Sequence, residues 1–268
     1  MNYFNILKKD VIISSETSFV NYTKNYNDEV WAKEIVEMGI IQLGRFKDTE
    51  LIMNNDNHEY IDTKQTFNLV AERINCYNGV IVEVCSGPAG GFAPAILVKN
   101  PNAKVIITDI NKTIGEEWFK VIKNSKYHNS TAMAFNICDM PFIDHSIDVV
   151  SSRNGFVNIE RGTGSQIDAL KEVYRVLAID GLFIMDEICL TNDCINKLSE
   201  NNINILKERY PFIITNFYQV CLDIGFKDVT DYNYSTWNNE NDESGLANLC
   251  RKLGIILEFH KYLRFCIK

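Results

Sequence analysis

The chain has 268 residues, 46% of them hydrophobic and 23% charged, with a net charge of −8 and an isoelectric point near 5.1. That content supports one large core with an elaborated terminus and falls short of two full domains. An acidic balance disfavours sequence-independent nucleic-acid binding, which needs a positive footprint, so no nucleic-acid partner is expected. No apolar run approaches the ~20 residues of a membrane-spanning helix. Residues 1–10 lack the basic-then-apolar order of a signal peptide, so the expectation is a cytoplasmic protein without a membrane span.

In chain order, residues 1–64 read as an N-terminal helical cap or extension, and residues 65–268 as the core. Within the first segment, Val30, Trp31, Ile35, Met38, Ile41 and Leu43 fall close to a helical stripe, which predicts one helix over 27–46. A second helix is expected over 65–75. Four β-formers from Val80 to Val84, interrupted only by Glu83, then predict a buried strand. A run of small residues follows, Cys85, Ser86, Gly87, Pro88, Ala89, Gly90 and Gly91, and leads into a helix over 92–99. In such a turn few side chains separate the backbone from a ligand, and the helix start offers unpaired N–H groups. Open α/β sheets place their ligands at such strand ends.

Two cofactor classes compete for this turn. A nicotinamide enzyme would carry G-x-G-x-x-G. Here the corresponding positions are Cys85, Gly87 and Gly90, and Glu83 would repel a pyrophosphate. A carboxylate suits instead a cofactor that bears an amino group and a sulfonium. These residues resemble motif I of the class I S-adenosylmethionine-dependent methyltransferases, E/D-x-G-x-G-x-G. Cys85 replaces its first glycine and Ala89 its third, both by small residues.

The next strand, over 103–108, ends at Asp109 and Ile110, about twenty residues past the turn, where such folds hold a ribose diol. The competing reading makes Asp109 the N-cap of a helix starting near Lys112. Residues 134–142 and 146–154 are similar to the D-x-x-x-L-P-F…F-D-x-V passage of small-molecule methyltransferases of the ubiquinone and menaquinone biosynthesis type. Aligned on Pro141, the acidic group that meets adenine corresponds to Asn136, with Ile137 beside it and Asp139 as competitor. Glu172, Arg175, Val176, Leu177 and Gly181 match the same family's E-x-x-R-V-L-x-x-G-G passage, with Asp180 replacing one glycine.

The resemblance covers residues 64–190 and implies an α/β, Rossmann-like sheet of seven mostly parallel strands, the last antiparallel, flanked by helices. It implies S-adenosylmethionine as cofactor, S-adenosylhomocysteine as product, and a small-molecule acceptor methylated by in-line displacement. Alternatives are a methyltransferase acting on RNA or protein, or a non-catalytic cofactor-binding regulator of the same fold. The expected cofactor contacts are Glu83, Cys85, Ser86, Gly87, Pro88, Gly90, Asp109, Ile110, Asn136, Ile137, Asp139, Arg153, Asn154 and Tyr26. Methyl transfer needs positioning more than an acid or base, so no catalytic residue is fixed by motif. Candidates are Arg153 and Glu187 at strand ends, and Tyr22, which with Tyr26 and Trp31 forms an aromatic group before the core. Aromatic rings attract a methylsulfonium; packing on the core is the alternative.

Downstream, helices are expected over 193–209 and 217–225, strands over 226–236 and 259–267, and a polar loop over 237–244. The eight cysteines form no C-x-x-C pair, which argues for reduced structural thiols and against a metal site.

Overall fold

The computed structural model describes residues 3–11, 13, 18–23, 29–56, 60–156, 159, 164–210, 213–238 and 245–268. Among these residues, eight strands form one sheet: β1 (Val20–Tyr22), β2 (Val80–Glu83), β3 (Lys104–Asp109), β4 (Thr131–Phe135), β5 (Ile147–Ser152), β6 (Leu177–Leu190), β7 (Asp228–Asn238) and β8 (Glu258–Ile267). Their order is β1-β4-β3-β2-β5-β6-β8-β7. The first six run parallel, and β8 inserts antiparallel between β6 and β7. The chain leaves β2 in one direction for β3 and β4, then returns to lay β5 on its other side. This reversal opens a crevice at the carboxyl ends of β2 and β5.

Among the described residues, ten α-helices accompany the sheet: α1 (Glu29–Glu37), α2 (Gly44–Asn54), α3 (Ile61–Ile74), α4 (Ala93–Lys99), α5 (Lys112–Lys123), α6 (Gln166–Val176), α7 (Asn192–Lys197), α8 (Glu200–Arg209), α9 (Phe217–Ile224) and α10 (Gly245–Lys252). Successive strand residues point to opposite faces, so two cores result. Ile81, Val149 and Leu182 join Ala32, Phe46, Phe67, Ile96 and Trp118 from α1–α5 on one face. Val82, Val150 and Phe183 meet Leu170 and Val173 of α6 and Phe217 of α9 on the other. Because both faces are covered, the central strands read as continuous apolar runs. A third cluster packs Leu206 of α8 and Cys250 of α10 on Leu190 and Phe259. The Glu172–Arg175 passage clamps the chain before β5: Arg175 bonds Glu172, Asp144 and the Phe142 carbonyl, and Glu172 accepts from the Met140 amide.

Several elements depart from the sequence reading. The sheet has eight strands and not seven, because Val20–Tyr22 adds to its edge beside β4. The helix expected over 27–46 is two, α1 and α2, separated at Gly39, whose φ of +64° ends the first. Tyr26 and residues 27 and 28 lie outside the described residues, as do 239–244 of the expected polar loop. The helix expected over 193–209 is also two: the Ser199 side chain accepts from the Asn202 amide and caps α8. The 64/65 division drawn from sequence falls inside α3, and α1 and α2 contribute Ile35 and Phe46 to the first core. Among the described residues, no helix is long and apolar enough to cross a membrane.

Candidate active site

β2 delivers the chain into the turn at 84–92, where four residues adopt a backbone conformation that L side chains rarely take. Cys85, Gly87, Gly90 and Gly91 all have positive φ, between 54° and 81°. A Cβ on Gly91 would stand 1.7 Å from Glu83 Oε1, and one on Gly90 would stand 2.8 Å from the Trp118 ring. These glycines let the turn close over a buried carboxylate and a buried indole. A Cβ on Gly87, in contrast, meets nothing within 4 Å, because that residue faces open space.

That space is a cavity of about 780 Å³ at the carboxyl ends of β2 to β5. Its walls include Cys85, Ser86, Gly87 and Pro88 from the turn, Asp109 at the end of β3 and Ile110 next to it, Asn136 and Ile137 after β4, and Arg153 and Asn154 after β5. Ten of the residues expected from sequence therefore converge on one cavity. Sequence reasoning missed Val84, Thr108, Phe135, Gly155 and Ile159 on the same walls. Trp31 of α1 also lines the cavity while 44% exposed, so α1 forms part of its rim.

Asp109 is the polar centre of this wall. Its Oδ2 accepts the Gly87 amide at 2.9 Å and its Oδ1 accepts the Asn111 amide at 2.8 Å. Burial raises its carboxyl above the ordinary value, and the amides of Asn111, Gly87 and Ile110 oppose that. The helix-cap role falls to Asn111, whose Oδ1 accepts from Thr113 and Ile114 at the start of α5. Ser86 adds a buried hydroxyl on the cavity wall with no hydrogen-bond partner. Opposite, Asn136 Oδ1 accepts the Cys138 amide at 2.9 Å. The Arg153 guanidinium lies 4.8 Å from the centre of the Phe67 ring.

Other expected site residues stand elsewhere. Glu83 is fully buried beneath the turn and off the cavity wall; its carboxylate accepts the Ser151 hydroxyl. Burial pushes its carboxyl up to about 7, with Ser151 and the Phe92 and Arg153 amides offsetting part of that. Gly90 packs on Trp118, whose Nε1 donates to the Gly87 carbonyl at 2.9 Å. Trp118 is thus a support of the turn that sequence reasoning passed over, its only signal being the apolar stripe of α5. Asp139 pairs with Lys8 at 3.2 Å, outside the cavity. Tyr22 sits on the edge strand β1, its hydroxyl 3.4 Å from Asp10. Glu187 lines a different cavity, described below. Among the described residues, no cluster of three metal-ligating side chains exists, and all eight cysteines are free.

Residues 83–185 match the family model of a methyltransferase domain. No curated protein matches the sequence. Solved structures similar in fold include the YcgJ protein from Bacillus subtilis, at 16% identity and a TM-score of 0.51 over 76% of this chain and 98% of that one. Phosphoethanolamine N-methyltransferase 2 from Haemonchus contortus, in complex with S-adenosyl-L-methionine, aligns at 13% identity and a TM-score of 0.52 over 80% of this chain and 58% of its own. A geranyl diphosphate methyltransferase in complex with the same cofactor aligns at 9% identity and 0.51, over 80% of this chain and 94% of its own. The domain match runs from the end of β2 into β6, so residues 83–185 of this chain form a methyltransferase domain, on a fold shared with these solved methyltransferases.

Proposed function

We propose that the protein transfers a methyl group from S-adenosylmethionine to a small-molecule acceptor, releasing S-adenosylhomocysteine. The observation that carries this reading is the cavity wall made by Ser86, Gly87 and Asp109. There a buried hydroxyl lacks a partner, a glycine leaves the space open, and a carboxylate already ordered by two amides keeps acceptor capacity. Each carboxylate oxygen has two lone-pair directions, so Asp109 holds the turn and still accepts from a ribose diol. Asn136 and Ile137 stand at the β4 end of the cavity, where they border an adenine. Arg153 and Asn154, after β5, border the methionyl end of the same cavity.

When bound, the cofactor supplies an activated leaving group, so the residues around it have chiefly to position the acceptor and exclude water. Trp31 stands at the rim to do the second. Neither Tyr22 nor Glu187 faces this cavity, and neither is assigned a role in the transfer. The test is calorimetric titration with S-adenosylhomocysteine and with NAD, followed by incubation of the protein and S-adenosylmethionine with pooled small metabolites. Binding of the first ligand and a mass gain of one methyl group on an acceptor are expected. NAD binding without a response to S-adenosylhomocysteine would overturn the cofactor assignment. Cofactor binding with no turnover on any acceptor would make the protein a regulator.

A further inference from the structure

A second cavity, of about 430 Å³, lies between the far ends of β6, β7 and β8 and a cover formed by α7, residues 213–216 and the start of α9. It shares no wall residue with the first. Its inner wall carries Arg264 between two carboxylates. Arg264 donates from Nε and Nη2 to the two oxygens of Asp231, at 2.7 and 2.8 Å. Its Nη1 lies 2.6 Å from Glu187 Oε2, yet neither atom completes a hydrogen bond. Arg264 and Glu187 are only 3% and 5% exposed.

The charges do not balance. One guanidinium faces two carboxylates, and the walls add Asp193 and Glu258 but neither a lysine nor a second arginine. His260 is the one imidazole, and its Nδ1 is already met by Asn233 and Thr236. A buried negative charge without a partner is costly, so the group either keeps a proton or acquires a cation. In the ligand-free protein, burial outweighs the pull of Arg264 and pushes the Glu187 carboxyl up to about 8. A metal ion does not fit, because no three ligating side chains converge among the described residues. The other walls mix aliphatic side chains, Leu190, Ile195, Ile213 and Ile214, with three aromatic ones, Phe217, Tyr218 and Tyr262, and the Arg264 guanidinium already lies 5.8 Å from the centre of the Tyr218 ring. Electron-rich ring faces suit an alkylated ammonium, whose charge is spread over its methyl groups.

We propose that this second cavity binds an organic ammonium group, with Glu187 as its counter-charge. The site is separate from the methyl-transfer cavity, and its occupancy is measurable without cofactor. The experiment titrates the full-length protein with choline chloride at constant ionic strength. A parallel titration uses 3,3-dimethyl-1-butanol, which has the same shape and no charge. Saturable choline binding is expected, at least about tenfold tighter than that of the neutral alcohol. Glu187→Gln should weaken choline binding at least about tenfold, as expected for loss of one charged contact. Should that variant fail to fold, Glu258→Gln on the exposed part of the wall should weaken it about threefold, through loss of longer-range attraction. Equal binding of the two compounds, absence of saturation, or unchanged affinity in the variants would overturn the proposal. Titration with S-adenosylhomocysteine in the same buffer reads the first cavity independently, so the two readings fail separately.

Discussion

Replacing Asp109 by alanine perturbs two functions that one carboxylate performs. In the free protein it accepts the Gly87 and Asn111 amides at 2.9 and 2.8 Å. Without it, two partly buried N–H groups lose their acceptor, at about 1–3 kcal/mol each where water does not replace it. Because Asp109 lines a cavity, water reaches these amides, and the lower end of that range applies: about 2 kcal/mol of folding stability in total. The bound state loses the ribose contacts as well. At roughly 1.5–3 kcal/mol for a hydrogen bond to a charged group, affinity for S-adenosylhomocysteine should fall at least about tenfold. Urea denaturation measures the first loss and calorimetric titration the second. Asp109→Asn separates them further, since its amide oxygen still serves one of the two N–H groups. Lower stability with an unchanged dissociation constant would refute the ribose role and leave Asp109 as a strut of the turn.

Three further outcomes are expected. Gly155→Ala would place a Cβ 2.4 Å from Cys85 Cβ, an overpacking that should destabilise by about 1–3 kcal/mol. Cys85→Gly, which also removes a side chain at a φ of +54°, should rescue part of that loss, since Ser152 Oγ at 2.7 Å still crowds the new Cβ; strict additivity of the two changes in urea midpoints would refute the contact. Burial raises the carboxyls of Asp186, Glu83 and Glu187 to about 6, 7 and 8. Below the unfolded values, near 4, both states hold these protons; between the unfolded and folded values only the unfolded chain ionises, which favours unfolding. Stability of the ligand-free protein should therefore fall from pH 5 to pH 8, and urea midpoints that rise across that window would contradict the burial argument. Finally, Trp31 lines the cavity whereas Trp118 is enclosed beneath the turn, so tryptophan emission should change when S-adenosylhomocysteine binds. Trp31→Phe should remove most of that change, and an undiminished response would place α1 away from the ligand.

Much of this protein was legible before folding because its information is local. The apolar run into Glu83, the small-residue turn and Asp109 after the next strand follow from backbone sterics and strand burial, which act over a few residues. The tertiary structure decided what depends on partners distant in the chain. Glu83 reads as a ligand contact, but the closure of Gly91 over it and the reach of Ser151 make it a buried support of the turn. Tyr22 belongs to a three-residue strand, too short to announce itself until β4 offers it an edge. Asp186 and Glu187 are neighbours on β6, yet strand alternation sends one to Tyr234 and the other to Arg264 and a second cavity. Their roles rest on β7 and β8, more than 40 residues away, and on a pairing register that no local pattern encodes.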